Sequence, residues 1–125
     1  VMTLEAPLIS TRVVRAGESV GYGASWVAQE DTRMGMVAIG YGDGYPRHAG
    51  TGTPAAIRGK RVRLLGRVSM DMLAVDLTGA PEAREGDPVE LWGTTVSVDE
   101  VASCAGTIGY ELLTGVTARV PRVCE

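Results

Sequence analysis

The stretch VSMDMLAVDL, Val68–Leu77, decides how the chain is read. Successive side chains of a strand point to opposite faces. That alternation sets Asp71, Leu73, Val75 and Leu77 on one side and Met70, Met72, Ala74 and Asp76 on the other. Both sides are largely apolar, so the segment reads as a central strand buried on two faces.

Outward from it, the chain continues as short apolar runs punctuated by glycine, without a long stripe of helical period. The expected strands are Leu8–Arg15, Met34–Tyr41, Ala55–Ile57, Arg61–Leu65, Val68–Leu77, Pro88–Trp92, Thr94–Val96 and Thr117–Val123. Their spacing of roughly 8 to 12 residues favours a closed barrel or a sandwich over βαβ units. The fold expected is mainly β, a closed or partly closed Greek-key-like barrel, with one or two short helices near the C-terminus. One helix is signposted by Ser97 and Glu100 as a capping box, by Val96 and Val101 at the staple positions, and by Gly106 as a left-handed stop. A shorter helical turn is expected at Tyr110–Thr114, ended by Gly115.

The 125 residues make one domain by length, 45% are hydrophobic, and the net charge of −3 argues against a nucleic-acid surface. Arg58, Arg61, Arg63 and Arg67 alternate with apolar residues and read as a solvated strand face. Two cysteines without a CxxC pairing and a single histidine, His48, assemble no metal-ligand set. No apolar run approaches the roughly 20 residues of a membrane span, and the absence of a leader points to the cytoplasm. A chain beginning at Val1 suggests a piece of a longer polypeptide.

Two glycine-tyrosine phrases remain, SVGYGASW at Ser19–Trp26 and IGYGDGYPR at Ile39–Arg47. Gly40, Gly42 and Gly44 have the wrong spacing for a dinucleotide or phosphate loop, and Pro46 removes a backbone donor that such a cradle would use. The VGYG at Val20–Gly23 matches an ion-channel filter in letters only, since no membrane helices surround it. Rim turns that place tyrosines are the remaining reading, with Asp43 as a turn aspartate bonding backbone amides.

Five phrases, in order, carry a resemblance: SVGYGASW, RMGMVAIGYGDGYPR, LLGRVSMDMLAVDL, EGDPVELWG and TIGYELLTGVTARVPRV. Together they resemble the C-terminal domain of alanine racemases over essentially the whole chain, residues 1–125. The resemblance implies pyridoxal-phosphate enzymes that interconvert L- and D-alanine, a cell-wall precursor, as cytoplasmic homodimers. In that family an N-terminal (β/α)₈ barrel, absent here, holds the cofactor, and the C-terminal β-domain completes the neighbouring subunit's site.

By that resemblance Tyr22 is the catalytic base, acting in trans on L-alanine. The Met70 main-chain N–H and Tyr41 belong to the substrate site, with Tyr41 at its narrow inner entrance. Arg47, Arg67 and Ile108 line the access corridor, Tyr110 reaches the cofactor phosphate, and Asp71 supports its neighbours. Lys60, the chain's one lysine, does not match the cofactor lysine. The chain alone is therefore expected neither to bind pyridoxal phosphate specifically nor to racemise alanine. Two alternatives stay open: a related pyridoxal-phosphate racemase or decarboxylase of other substrate scope, and an independent β-barrel interaction module. The site assignment requires the rings of Tyr22, Tyr41 and Tyr110 to be exposed in the isolated domain.

Overall fold

A computed structural model describes residues 3–20 and 26–106. Six strands close into a barrel: β1 (Leu4–Val14), β4 (Thr32–Val37), β7 (Leu73–Asp76), β6 (Lys60–Leu65), β5 (Pro54–Ile57), β8 (Pro88–Trp92) and back to β1. Every pairing is antiparallel. Closure removes the unpaired edges that an open sheet would expose.

One long strand makes closure possible. The first half of β1 pairs with β8, from Leu4 opposite Trp92 to Pro7 opposite Pro88. Its second half pairs with β4, from Leu8 opposite Val37 to Val14 opposite Thr32, with a register shift between Leu8 and Ser10. Pro7 and Pro88 both lack an N–H, so the ladder weakens where the strand changes partners. Neighbouring backbone fills in there: Ala38 N–H donates to the Pro7 carbonyl at 3.1 Å and Leu8 N–H to the Asp87 carbonyl at 2.9 Å.

Alternation along the strands sorts the apolar side chains into two clusters. Leu8, Val37, Leu64, Leu73, Val75 and Trp92 belong to the main core. Val14, Val20, Ala28, Met34, Leu65 and Ala74 form a second cluster, with Trp26 and Met36 packed against it. Ala74 lies between Leu73 and Val75, so the second cluster occupies the opposite, outward face of the sheet. There it meets a two-stranded ribbon, β2 (Ser19–Val20) and β3 (Trp26–Val27), in which Val20 pairs with Trp26.

The helix α1 (Val98–Ala105) is the one the sequence signals. Ser97 Oγ accepts the Glu100 N–H at 3.1 Å, Val96 and Val101 are fully buried, and Gly106 stops the helix at φ 74°. Arg61 and Arg63 stand exposed on β6, each with an ion-pair partner, Glu100 and Asp76 respectively.

Three expectations need correction. Val68–Leu77 is a strand only over Leu73–Asp76, because the Ser69 side chain closes the preceding residues into a turn. Met34–Tyr41 is a strand over Thr32–Val37, and Tyr41–Asp43 is a single 3₁₀ turn. Thr94–Val96 is a turn, not a strand: its Thr95 and Val96 N–H groups both donate to the Glu90 carboxylate at 2.8 Å, and the Gly93 N–H donates to the Val96 carbonyl at 2.7 Å. The expected strand Thr117–Val123 and helical turn Tyr110–Thr114 lie outside the described residues.

Candidate functional site

Two loops meet through their backbones. The first leaves β4 and runs through Gly40 into the Tyr41–Asp43 turn; the second connects β6 to β7 and contains Ser69, Met70 and Asp71. Tyr41 N–H donates to the Ser69 carbonyl at 3.1 Å, and Gly42 N–H donates to the Met70 carbonyl at 2.9 Å. Contact this close requires glycine at position 40. A Cβ there would stand 2.2 Å from the Ser69 oxygen and 2.5 Å from the Met70 oxygen. The backbone of Gly40 is extended, so space rather than dihedral freedom demands glycine.

Each loop is also tied within itself. Asp43 Oδ2 accepts the Gly40 N–H at 3.1 Å, the Asp43 N–H returns to the Gly40 carbonyl at 3.0 Å, and Gly44 closes the turn at φ 100°. On the other side, Ser69 Oγ donates to the Met72 carbonyl at 2.8 Å and accepts the Met72 N–H at 3.2 Å. The Ser69 N–H reaches the same carbonyl at 3.0 Å. Short polar side chains that bond their own backbone are a common way of closing turns.

The bracket fixes the peptides around Met70. In a trans peptide the C=O and N–H point in opposite directions. With the Ser69 carbonyl held by Tyr41, the Met70 N–H is aimed away from the Tyr41 backbone. Met70 is 53% exposed, and Asp71 follows it on the surface.

Tyr41 is exposed, as the site assignment required, and Arg47 sets its guanidinium 5.1 Å from the Tyr41 ring centroid. This is cation–π distance. Arg67 is exposed on the second loop just after Gly66, whose N–H donates to Thr51 Oγ1 at 2.8 Å. A cleft of about 330 Å³ opens beside the bracket, lined among others by Val20, Met34, Met36, Arg67, Ser69 and Met72. Its floor is the second apolar cluster, its cations are Arg12 and Arg67, and Val20 brings the β2–β3 ribbon to its edge. Another cleft, about 650 Å³ and more polar, lies at the ribbon's other strand, between Trp26, Glu30, Arg63 and Asp76.

Tyr41, Arg47, Met70, Asp71 and Arg67 are thus gathered on two joined loops. Tyr22, Ile108 and Tyr110 lie outside the described residues. Ser69 escaped the sequence reading, although a serine heading an SMDM turn between two strands was a usable signal. Asp43 bonds a backbone amide as expected. Among the described residues no group of histidine, cysteine and carboxylates could hold a metal ion, and His48 is exposed. No helix among them is long and apolar enough to cross a membrane. Lys60 is exposed beside the β5–β6 turn, paired with Ile57, and lines neither cleft.

Known proteins similar to this chain fall in one family. The sequence profile of a family described as "Alanine racemase, C-terminal domain" matches residues 1–124. The chain is 86% identical over 124 residues to an alanine racemase of Marinobacter nauticus, covering 99% of this chain and 35% of that protein. It is 65% identical to a biosynthetic alanine racemase of Pseudomonas aeruginosa, covering 97% of this chain and 34% of the relative. The crystal structure of a biosynthetic alanine racemase from Pseudomonas aeruginosa superposes with a TM-score of 0.93 at 64% identity, over 97% of this chain and 34% of that one. A Bartonella henselae alanine racemase, solved with covalently bound pyridoxal phosphate, gives a TM-score of 0.89 at 30% identity, again over 97% and 34%. The chain therefore spans about a third of the length of the relatives it matches.

Proposed function

We propose, from the premise that this chain belongs to the alanine racemase C-terminal domain family, that it is the β-domain of a cytoplasmic, pyridoxal-phosphate-dependent enzyme interconverting L- and D-alanine. One observation carries the reading. The 40–43 and 69–71 loops are hydrogen-bonded into a bracket that joins Tyr41, with Arg47 over its ring, to Met70, and the Ser69 of that bracket lines a cleft together with Arg67.

Each residue then has a physical task. The Met70 N–H, turned away from Tyr41 by the bond on the Ser69 carbonyl, donates to the substrate carboxylate. The task is a main-chain one, since a thioether cannot hold an anion. Tyr41, held under Arg47, narrows the inner entrance. Arg47 and Arg67, with Ile108, line the access corridor, where positive charge draws an amino-acid carboxylate inward. Tyr110 reaches the cofactor phosphate, and Asp71 supports the turn it shares with Met70.

Tyr22 Oη takes the α-proton of L-alanine in the partner subunit's site. An ordinary phenol titrates near pH 10, so ionisation near pH 7 takes a shift of about 3 units, or about 4 kcal/mol of preferential stabilisation of the phenolate. That stabilisation comes from groups of the N-terminal barrel, which also completes the homodimer. When bound, pyridoxal phosphate supplies an electron sink for the carbanion left by proton removal. The described residues do not fit its covalent attachment, because the single lysine sits on an exposed hairpin outside both clefts.

Two measurements test the reading. In the full-length enzyme, Tyr22→Phe should lower L-to-D turnover by at least about a hundredfold, the scale of a lost general base. Purified residues 1–125 should show neither turnover nor cofactor-derived visible absorbance. Unchanged turnover in the first, or activity in the second, overturns it. Serine and lysine assayed beside alanine would separate this reading from a racemase of wider scope.

A further inference from the structure

We infer that Asp43 is a positioning residue for the substrate carboxylate: it locks the Gly40–Asp43 turn whose Tyr41 and Gly42 amides orient the peptides on either side of Met70. The inference rests on the proposed role of the Met70 N–H and goes beyond it. It assigns the accuracy of that donor to a side chain on a different loop.

The chain of contacts is short and every link is covalent or a hydrogen bond. Asp43 Oδ2 accepts the Gly40 N–H at 3.1 Å and so sets the direction in which the chain enters the turn. The next two amides, of Tyr41 and Gly42, hold the Ser69 and Met70 carbonyls at 3.1 and 2.9 Å. Those carbonyls belong to the 69–70 and 70–71 peptides, and a planar trans peptide whose oxygen is pinned has its N–H direction pinned as well. Ser69 anchors the far side through its three bonds to Met72. The Met70 peptides are therefore clamped from both loops.

Gly40 gives an independent sign that the two loops are set to a tight tolerance. Its Cβ position is occupied by carbonyl oxygens at 2.2 and 2.5 Å. A methyl there displaces backbone rather than a flexible side chain. Donor groups in reaction sites lose their effect when displaced by fractions of an ångström. Anything that releases the Asp43 turn should move the Met70 N–H without removing it. The same turn carries Tyr41, and Arg47 lies over that ring, so the entrance and the carboxylate donor move as one unit.

The test is steady-state racemisation by the full-length holoenzyme. Asp43→Ala removes the acceptor, whereas Asp43→Asn keeps an oxygen at the same reach. Asp43→Ala should raise KM for L-alanine about tenfold, the scale of one lost orienting hydrogen bond, with kcat within about threefold. Asp43→Asn should restore KM to within about twofold of the parent. Gly40→Ala, which pushes the loops apart from the other side, should reproduce the KM effect wherever its thermal unfolding shows a folded enzyme. The inference is overturned if Asp43→Ala leaves KM unchanged, if kcat and KM worsen together in step with loss of folded protein, or if Asp43→Asn is as impaired as Asp43→Ala. Tyr22→Phe, run alongside, reports on the proposed reaction itself: a failure there sinks the reaction assignment, whereas failure of the Asp43 arms alone leaves it standing.

Discussion

Arg61 grips Glu100 with both terminal nitrogens, Nη1 to Oε2 at 2.8 Å and Nη2 to Oε1 at 2.9 Å, and thereby ties strand β6 to the first turn of helix α1. The Arg61 guanidinium and the Ser97 backbone N–H hold the Glu100 carboxyl down from its ordinary 4.5 to about 2. Between those values the unfolded chain binds a proton that the folded one does not, so stability falls as the pH falls. The contribution is whole above about pH 4.5 and is lost as the pH drops toward 2. Unfolding midpoints of the parent and Glu100→Gln measured from pH 7 to 2 should differ by a constant amount above pH 5 and converge below it. A gap that persists at pH 2 would show that the pair acts through something other than charge.

The hairpin between β5 and β6 turns on two residues in left-handed conformation, Arg58 at φ 53° and Gly59 at φ 75°. This is the geometry of a tight two-residue turn. A side chain at such φ costs about 1 kcal/mol, and nothing crowds a Cβ at Gly59. Gly59→Ala should therefore destabilise by about 1 kcal/mol from conformation alone. At Arg58 that cost is already met, and Nε and Nη2 bond the Asp87 carboxylate at 2.7 and 3.2 Å. Arg58→Gly relieves strain while losing an exposed pair worth about 0 to 1 kcal/mol, so its net effect should stay within about 0.5 kcal/mol. Chemical denaturation of the two variants decides; an Arg58→Gly loss above about 2 kcal/mol would make the ion pair the main contributor.

Where local chemistry and tertiary packing agreed, the sequence was sufficient. Ser97, Glu100 and Gly106 specify a helix by themselves, and the structure has it where expected. The alternation of Leu73 and Val75 located the core face of β7. It overran at Ser69–Met72 because apolar alternation is blind to a serine hydroxyl that takes both backbone groups of Met72 and ends the strand. The same happened at Tyr41, where Asp43 captures the Gly40 amide and coils the chain. Both errors fall on the two loops that form the candidate site. Period-two patterning reports the barrel wall, whereas the site is made of the side-chain-to-backbone bonds that interrupt it. The meeting of those loops depends on contacts between residues far apart in sequence, which no local pattern records.

Gly35 is a tightly packed point of the wall. It pairs with Thr11 on one side and Val75 on the other, and a Cβ there would stand 2.5 Å from Leu8 Cδ1 and 3.1 Å from Leu77 Cδ1. Both leucines are fully buried, so neither has open solvent to swing into. Gly35→Ala should cost about 1 to 3 kcal/mol by overpacking. Leu8→Ala alone should cost about 2 to 5 kcal/mol through its cavity. Combined, the two should destabilise by at least 1 kcal/mol less than their sum, because the new methyl occupies part of the space that the leucine vacates. Additive values from denaturant unfolding would mean that the barrel relaxes around Gly35 rather than clashing there.

Tyr45 and Trp92 stack inside the barrel with centroids 6.1 Å apart and planes 14° from parallel. Among the described residues neither the Tyr45 hydroxyl nor the Trp92 Nε1 has a hydrogen-bond partner. Burial pushes the Tyr45 phenol well above its ordinary 10, with Cys104 adding to the rise. A buried hydroxyl without a partner costs about 1 to 3 kcal/mol of desolvation, while the ring itself contributes packing. Tyr45→Phe should therefore leave stability unchanged or raise it by about 1 kcal/mol, whereas Tyr45→Ala should cost about 3 to 5 kcal/mol, as for other large aromatic truncations. Alkaline difference spectra supply an independent check. Because the phenol stays protonated until the fold opens, the tyrosinate amplitude reached before unfolding should be the same in the parent and in Tyr45→Phe. A smaller amplitude in the variant would show that the phenol meets solvent in the folded protein, and a loss of more than about 1 kcal/mol would show that the hydroxyl bonds a partner in solution.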